Sequence, residues 1–357
     1  IYSSGTRQTF SPPNATLEAK LSSWQPDSSL PGQTPNAPTV TKYNGWLYMV
    51  YRSDSNDTLY IQKSHDGINW EGLTDLGSDF STFTQASLAV FNDTLYLAFT
   101  AENNQVIIAP AVTDSSALGL AFSGDSMYQI PGSDSYEGPT LVNYDNSLYV
   151  FFSAANSSST ILYSSSSSPS DPSSWSGTGL IPTNSGSNSC QGTVGAAVFG
   201  GDLYVAFLAS DGSNDLYIAS YDGNTWSSAD GPGSQSVIPG QTSVSGPSLL
   251  ATDSSLYLFY TAGNWSGDLY YSSSETGSST DWGAAATIPN QSSSESPSPV
   301  FFNQSIYTYY KGYAENVSIY ATATNPIQEN NNTQGLGSGL QGIGDFNGDG
   351  QEDYAVL

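Results

Sequence analysis

A dipeptide of Leu (once Ile) followed by Tyr returns six times along the chain, at Leu47-Tyr48, Leu95-Tyr96, Leu148-Tyr149, Leu203-Tyr204, Leu256-Tyr257 and Ile306-Tyr307. Repetition at an interval of about fifty residues constrains a fold strongly, because each copy must form the same unit and bury its faces against its neighbours. Ahead of each pair lies a short apolar run, opened in four copies by Pro38, Pro139, Pro247 and Pro299. Beyond each pair comes a third run, such as Leu59-Tyr60-Ile61, Leu216-Tyr217-Ile218 or Leu269-Tyr270-Tyr271. A fourth strand follows a Trp at Trp70, Trp175, Trp226 and Trp282, with Phe122 in the comparable place of the second copy. Gly, Asn, Asp and Ser separate the runs, and Tyr, Val, Leu and Phe dominate them, as suits pleated and largely buried strands. Four short strands per repeat is the signature of a β-propeller blade. No segment sustains a 3.6-residue apolar period, so few helices are expected.

The sixth copy lacks a Trp strand after Tyr320, and the N-terminus supplies one. Ser22-Ser23-Trp24 with Leu30-Pro31 matches Ser173-Ser174-Trp175 with Ile181-Pro182, and Trp282 with Ile288-Pro289. The expected fold is therefore an all-β, six-bladed propeller over residues 17–324, closed by an outer strand within residues 17–32. Such closure hides a sheet edge that would otherwise pair with another chain. An extension over 1–16 precedes the ring and a tail over 325–357 follows it. A seventh blade would need residues 325–357 and 1–16 to build it together.

Composition narrows the partners. Six Lys and Arg against 32 Asp and Glu leave a net charge of −26, too few cations to neutralise phosphates, so nucleic acid is set aside as a partner and anionic membrane surfaces are disfavoured. No apolar run is long enough for a membrane span. A start at Ile1 rather than Met fits a mature form after signal-peptide removal, hence a secreted, extracellular or cell-surface product. Asn-x-Ser/Thr sequons at Asn14, Asn56, Asn92, Asn156, Asn264, Asn290, Asn303, Asn316 and Asn331 make N-linked glycans an expectation.

Two turns carry a more specific signal: Ser64-His65-Asp66-Gly67-Ile68-Asn69-Trp70 and Ser220-Tyr221-Asp222-Gly223-Asn224-Thr225-Trp226. They resemble the Asp boxes of sialidase-type propellers, a superfamily with lectin and glycosidase members, though each is one residue shorter than the usual pattern. The resemblance implies a folding role away from any active site, with Asp capping backbone N–H groups and Trp packing between sheets. Sialidases hold the substrate carboxylate with three arginines; this chain has only Arg7 and Arg52, which excludes that chemistry.

Glu137-Gly138-Pro139 resembles the acid-bearing Glu-Gly-Pro of five-bladed arabinanase- and xylosidase-type glycosidases. The Asp positions of that family do not match, because the first two repeats open with Ala37-Pro38 and Ala86-Ser87. Glycoside hydrolysis needs two positioned carboxyls. The catalytic candidates are thus Glu137 and Glu295, the latter expected near the axis ahead of the sixth blade. His65 is the sole His and Cys190 the sole Cys, so Cys and His cannot assemble a zinc site and no disulfide can close within the chain. A triad centred on His65 has no nucleophile signature to support it, and a catalytic Cys190 would need His65 as its partner; surface or turn roles are expected for both.

In the tail, Asp345-Phe346-Asn347-Gly348-Asp349-Gly350-Gln351-Glu352-Asp353 sets oxygen ligands at alternate positions with Gly at the sixth, which suits Ca²⁺. Position 12 is Val356, so the loop is not an EF-hand. It resembles the calcium hairpin of FG-GAP and integrin-type propellers, which implies side-chain oxygens from Asp345, Asn347, Asp349 and Asp353 and the Gln351 carbonyl around a structural ion. An Asn/Gly/Ser-rich linker from Asn325 to Gly339 leads into it.

The leading expectation for function is a non-catalytic, secreted structural or adhesive subunit of an extracellular assembly, a fibre or surface coat, self-associating through its terminal segments. The alternatives are a lectin binding extracellular glycans, and a glycoside hydrolase-like propeller.

Overall fold

The computed structural model describes residues 23–156, 159–182, 190–228, 231–232, 236–325, 340–344 and 353–356. Two compact units divide at Asn325/Pro326.

The first unit contains six antiparallel sheets that repeat one plan. In blade 1 the strands run Thr39–Tyr43, Trp46–Arg52, Leu59–Ser64 and Trp70–Asp75, each paired with the one before it. The innermost strands of the six blades are Thr39–Tyr43, Ser87–Phe91, Thr140–Tyr144, Gly195–Phe199, Ser248–Ala251 and Ser298–Phe302. Each abuts the next, and the sixth meets the first, so they form a closed ring around an axis. Ser and Thr stitch that ring: Thr39 Oγ1 donates to the Ala86 carbonyl at 2.7 Å, Thr140 Oγ1 to the Val194 carbonyl at 2.6 Å, and Ser298 Oγ accepts from the Val40 N–H at 3.0 Å.

Ser28–Gln33 is the outer strand of blade 6, pairing antiparallel with Ser318–Ala323 in the register Ser28↔Ala321 and Leu30↔Ile319. Trp24 bridges Thr324 ahead of it. The closure read from the Trp–Pro spacing is therefore present, with its regular strand starting later than residue 17; residues 1–22 lie outside the described residues. Helix is confined to three single 3₁₀ turns among the described residues, and none is long or apolar enough to cross a membrane.

The core lies between blades. Tyr48, Val50, Leu59 and Ile61 of blade 1 pack on Leu88, Leu95, Leu97 and Phe99 of blade 2, all nearly solvent-free, and the same pattern continues round the ring. The second strand of each blade is covered on both faces by the neighbouring blades, so the Leu or Ile of each pair is completely buried and Tyr48, Tyr96, Tyr204 and Tyr257 beside them are buried too. Blade 2 carries an added two-stranded pair, Val112–Thr113 with Leu120–Ala121, and blade 4 another, Trp226–Ser228 with Gly231–Pro232.

In the second unit, Leu340–Gly344 pairs antiparallel with Asp353–Val356. Of the expected calcium ligands, Asp353 opens the second of these strands, while Asp345, Asn347, Asp349 and Gln351 lie outside the described residues.

Candidate functional site

Because each blade runs antiparallel, the turn that opens a blade and the turn between its second and third strands lie on one face. The other two turns lie on the opposite face. On the first face the six opening turns share one construction. Their first residue is Thr34, Thr82, Ser135, Cys190, Ser243 or Ser293, all buried. In five of them its hydroxyl accepts the N–H two residues on, from Asn36 (3.3 Å), Thr84 (3.1 Å), Glu137 (3.1 Å), Ser245 (3.2 Å) and Glu295 (3.0 Å). In blade 4 the Cys190 thiol takes this place and reaches the Gly192 carbonyl at 3.6 Å. The hydroxyl turn fixes where the third residue points.

Those third residues, Asn36, Thr84, Glu137, Gly192, Ser245 and Glu295, all line one cavity of about 410 Å³ at the axial mouth. Glu137 and Glu295 thus come together, on blades 3 and 6, which face each other across the six-membered ring. Gln85 and Gln191 add amides to the lining, and Phe83 and Tyr136 stand on its rim, 55% and 56% exposed. Large aromatic faces so open to water at a cavity mouth are unusual in a protein whose other aromatics mostly pack between blades.

Electrostatics separate the two acids from ordinary surface carboxylates. Burial pushes the Glu295 carboxyl up to about 7; the Lys311 ammonium pulls it back in part, and Glu137 pushes it further. Burial likewise raises Glu137, against the pull of the Gly192 N–H that donates to it. Lys311 is itself buried and donates to Ser294 Oγ at 2.7 Å and to the Ala314 carbonyl at 3.0 Å. At the matching place in blade 1, Arg52 pairs with Asp57, donates to Asn36 Oδ1 at 3.1 Å, and lies 5.6 Å from the Phe83 ring centre. The two cations brace the mouth and are already engaged.

The remaining sequence candidates lie elsewhere. His65 is on the opposite face, its ring 5.7 Å from that of Trp46, so it cannot meet Cys190. Burial pushes the Cys190 thiol up to about 12. In the Asp-box turns, Asp66 Oδ1 accepts the Ile68 and Asn69 N–H groups at 2.9 and 2.7 Å, and Asp222 Oδ1 those of Asn224 and Thr225 at 2.8 and 2.7 Å. Seven sequon asparagines, at 56, 92, 156, 264, 290, 303 and 316, are exposed, while Asn14 and Asn331 lie outside the described residues. Sequence reasoning missed Phe83, Tyr136, Gln85, Gln191 and Lys311. The one available signal was the Ser/Thr two residues before five of the six ring positions, too common here to stand out.

Half-enclosed, amide-rich and aromatic-rimmed, the mouth offers donors and acceptors to a hydroxyl-rich ligand and flat faces to its C–H surface. Two smaller cavities, of about 210 Å³ beside Tyr204 and Thr276 and about 220 Å³ beside Tyr260 and Tyr270, involve blades 4 and 5.

No protein-family model and no curated protein matches the chain. Solved structures match its fold. A protein of unknown function from Dyadobacter fermentans superposes with a TM-score of 0.59 at 13% identity, over 83% of this chain and 97% of that one. A fungal lectin from Aleuria aurantia, a six-bladed propeller that recognises fucose, gives 0.55 at 14% identity over 83% and 93%. Trypanosoma rangeli sialidase gives 0.52 at 12% identity over 82% of this chain and 55% of the enzyme. At these identities the likeness establishes the six-bladed propeller fold.

Proposed function

We propose that this chain is a carbohydrate-binding protein that takes a sugar at the axial mouth. The observation that carries the reading is the convergence of three amides (Asn36, Gln85, Gln191) and two carboxyls beneath the exposed rings of Phe83 and Tyr136. The fold shared with a fucose-recognising lectin supports it. The expected assembly subunit rests on residues 325–357, whose described part is one hairpin, so the sugar reading is carried forward ahead of it. Secretion, N-glycosylation at the exposed sequons other than Asn264, self-association through the termini and a structural calcium in the tail stand beside it as proposals from sequence.

The test is a glycan array probed with the wild type, Tyr136→Ala and Glu137→Gln. Selective binding that weakens at least tenfold in Tyr136→Ala is expected. An array without hits, or hits indifferent to both changes, overturns the reading.

A second reading has its own observation: two carboxyls share one cavity and one of them holds its proton near neutrality, as an acid catalyst must. Incubating the bound glycans and analysing for cleavage separates the two. Hydrolysis abolished by Glu137→Gln or Glu295→Gln makes the protein a glycoside hydrolase; intact glycans leave it a lectin.

A further inference from the structure

The turn between the second and third strands of blade 5 holds a backbone anomaly. Trp265 adopts φ 61°, in the left-handed region that bulky L residues avoid, and its side chain is 68% exposed. Blade 4 provides an internal control. There Asp211 Oδ1 accepts the Ser213 N–H at 2.9 Å and Ser213 Oγ accepts the Asp215 N–H at 3.1 Å. In blade 5 Asn264 Oδ1 accepts the Ser266 N–H at 3.0 Å and Ser266 Oγ accepts the Asp268 N–H at 3.2 Å. The two turns are the same, and between their first and third residues blade 4 has Gly212, with φ 80°. The geometry asks for glycine; blade 5 supplies the largest side chain and leaves it in water, where no burial offsets the strain.

The neighbouring turn fixes the Trp265 backbone. Its carbonyl accepts the Tyr313 hydroxyl at 2.7 Å, and Tyr313, 41% exposed, belongs to the corresponding turn of blade 6. Gly267 makes the approach feasible, since a Cβ there would overlap the Tyr313 ring. Both turns lie on the face that carries the axial mouth and adjoin it. Ala262 bridges Ser243 in the opening turn of blade 5, and Lys311 ties Ser294, beside Glu295, to Ala314, beside Tyr313.

We propose that Trp265 and Tyr313 form a second carbohydrate subsite, a stacking platform for the C–H face of a pyranose ring. The ligand of the axial mouth is then an oligosaccharide that runs outward between blades 5 and 6, not a single sugar. The inference rests on the carbohydrate-binding reading and specifies its ligand. Wet aromatic faces bordered by Asn264, Ser266 and Asp268 suit an amphiphilic ring with hydroxyl edges better than a wholly apolar partner. Continuity with the mouth selects a chain whose first ring already sits there.

The experiment uses the full chain made in a bacterial host, so that no glycan on Asn264 covers the platform. The probe is an array of neutral glycans from one to six sugars long. Trp265→Gly, which installs the blade 4 residue and relieves the strain, is expected to melt no lower than the wild type. It should bind single sugars equally and lose at least tenfold in binding to glycans of three or more sugars. Tyr136→Ala should weaken every length. If Trp265→Gly binds all lengths as the wild type does while Tyr136→Ala is impaired, the second subsite is wrong and the sugar reading stands. If no glycan binds any variant, both fall.

Discussion

Gly138 approaches Gln85 of the neighbouring blade so closely that a Cβ on it would overlap the Gln85 carbonyl oxygen. The same clash recurs at Gly246, whose Cβ would meet the Thr193 carbonyl. The Gly-Pro of Glu137-Gly138-Pro139 and of Ser245-Gly246-Pro247 therefore lets one blade's opening turn pass the next, and the acidic residue before it is a separate choice. A methyl group at Gly138 has backbone against it and nowhere to go. Gly138→Ala should cost about 1–3 kcal/mol, read as a lower urea midpoint. A wild-type midpoint would show that the turns are not in contact.

Glu295 makes stability depend on pH in a defined direction. Its carboxyl titrates near 7 in the folded chain, against 4.5 ordinarily, so the native state holds the proton more tightly than the unfolded one. The resulting stabilisation is complete below about pH 4.5 and is lost as pH rises through about 7. Glu137, also raised, acts in the same direction, while Lys311 limits the effect. Glu295→Gln should flatten this part of the stability profile by roughly 1–3 kcal/mol. Parallel wild-type and variant profiles between pH 4.5 and 7.5 would place the carboxyl in ordinary solvent.

Asp66 behaves oppositely. Burial alone would raise its carboxyl, but hydrogen bonds from the Asn69 side chain and the Asn69 and Ile68 N–H groups, with Ser64, hold it well below the usual range. Its contribution is present above about pH 4 and is lost as acid protonates it. Asp66→Ala should cost about 1–2 kcal/mol and leave glycan binding untouched, since its turn lies on the face away from the mouth. A variant that keeps its stability but loses glycans would relocate the site to the Asp-box face.

The propeller was legible because its signals are cooperative and local. Five Leu-Tyr pairs and one Ile-Tyr mark strands at blade spacing, and Trp24 with Pro31 repeats Trp282 with Pro289 closely enough to reveal the closing strand. The site was not, because no one side chain recurs round the ring: Asn36, Thr84, Glu137, Gly192, Ser245 and Glu295 share a location but offer an amide, hydroxyls, carboxyls and bare backbone by turns. Only the buried hydroxyl two residues earlier repeats, and Cys190 breaks even that pattern. Trp265 was silent for another reason. Asn-Trp-Ser reads as a sequon, and nothing in it announces a left-handed backbone.

Calcium in the tail is tested directly. With Asp345, Asn347, Asp349 and Asp353 as oxygen donors, the full chain should bind one Ca²⁺ with a dissociation constant on the order of 10⁻⁵–10⁻³ M. Calorimetry should register it in the wild type and not in Asp345→Asn/Asp349→Asn. Binding that survives the double change would assign the ion to other residues, and no heat at millimolar calcium would remove it.

Cys190 occupies the place that Thr34, Thr82, Ser135, Ser243 and Ser293 hold in the other blades, and it spans the same turn. Burial keeps it a thiol, up to about 12, so the nucleophilic thiolate does not form at neutral pH. Two results follow. A thiol-specific disulfide reagent at pH 8 should leave the native chain unmodified and label one cysteine on unfolding. Cys190→Ser should restore the hydroxyl turn, change stability by less than about 1 kcal/mol and keep glycan binding, because the neighbouring Gly192 brings backbone, not a side chain, to the cavity. Rapid labelling of the native chain, or loss of binding in Cys190→Ser, would make the thiol part of the site and undo its assignment as the sixth copy of a structural turn.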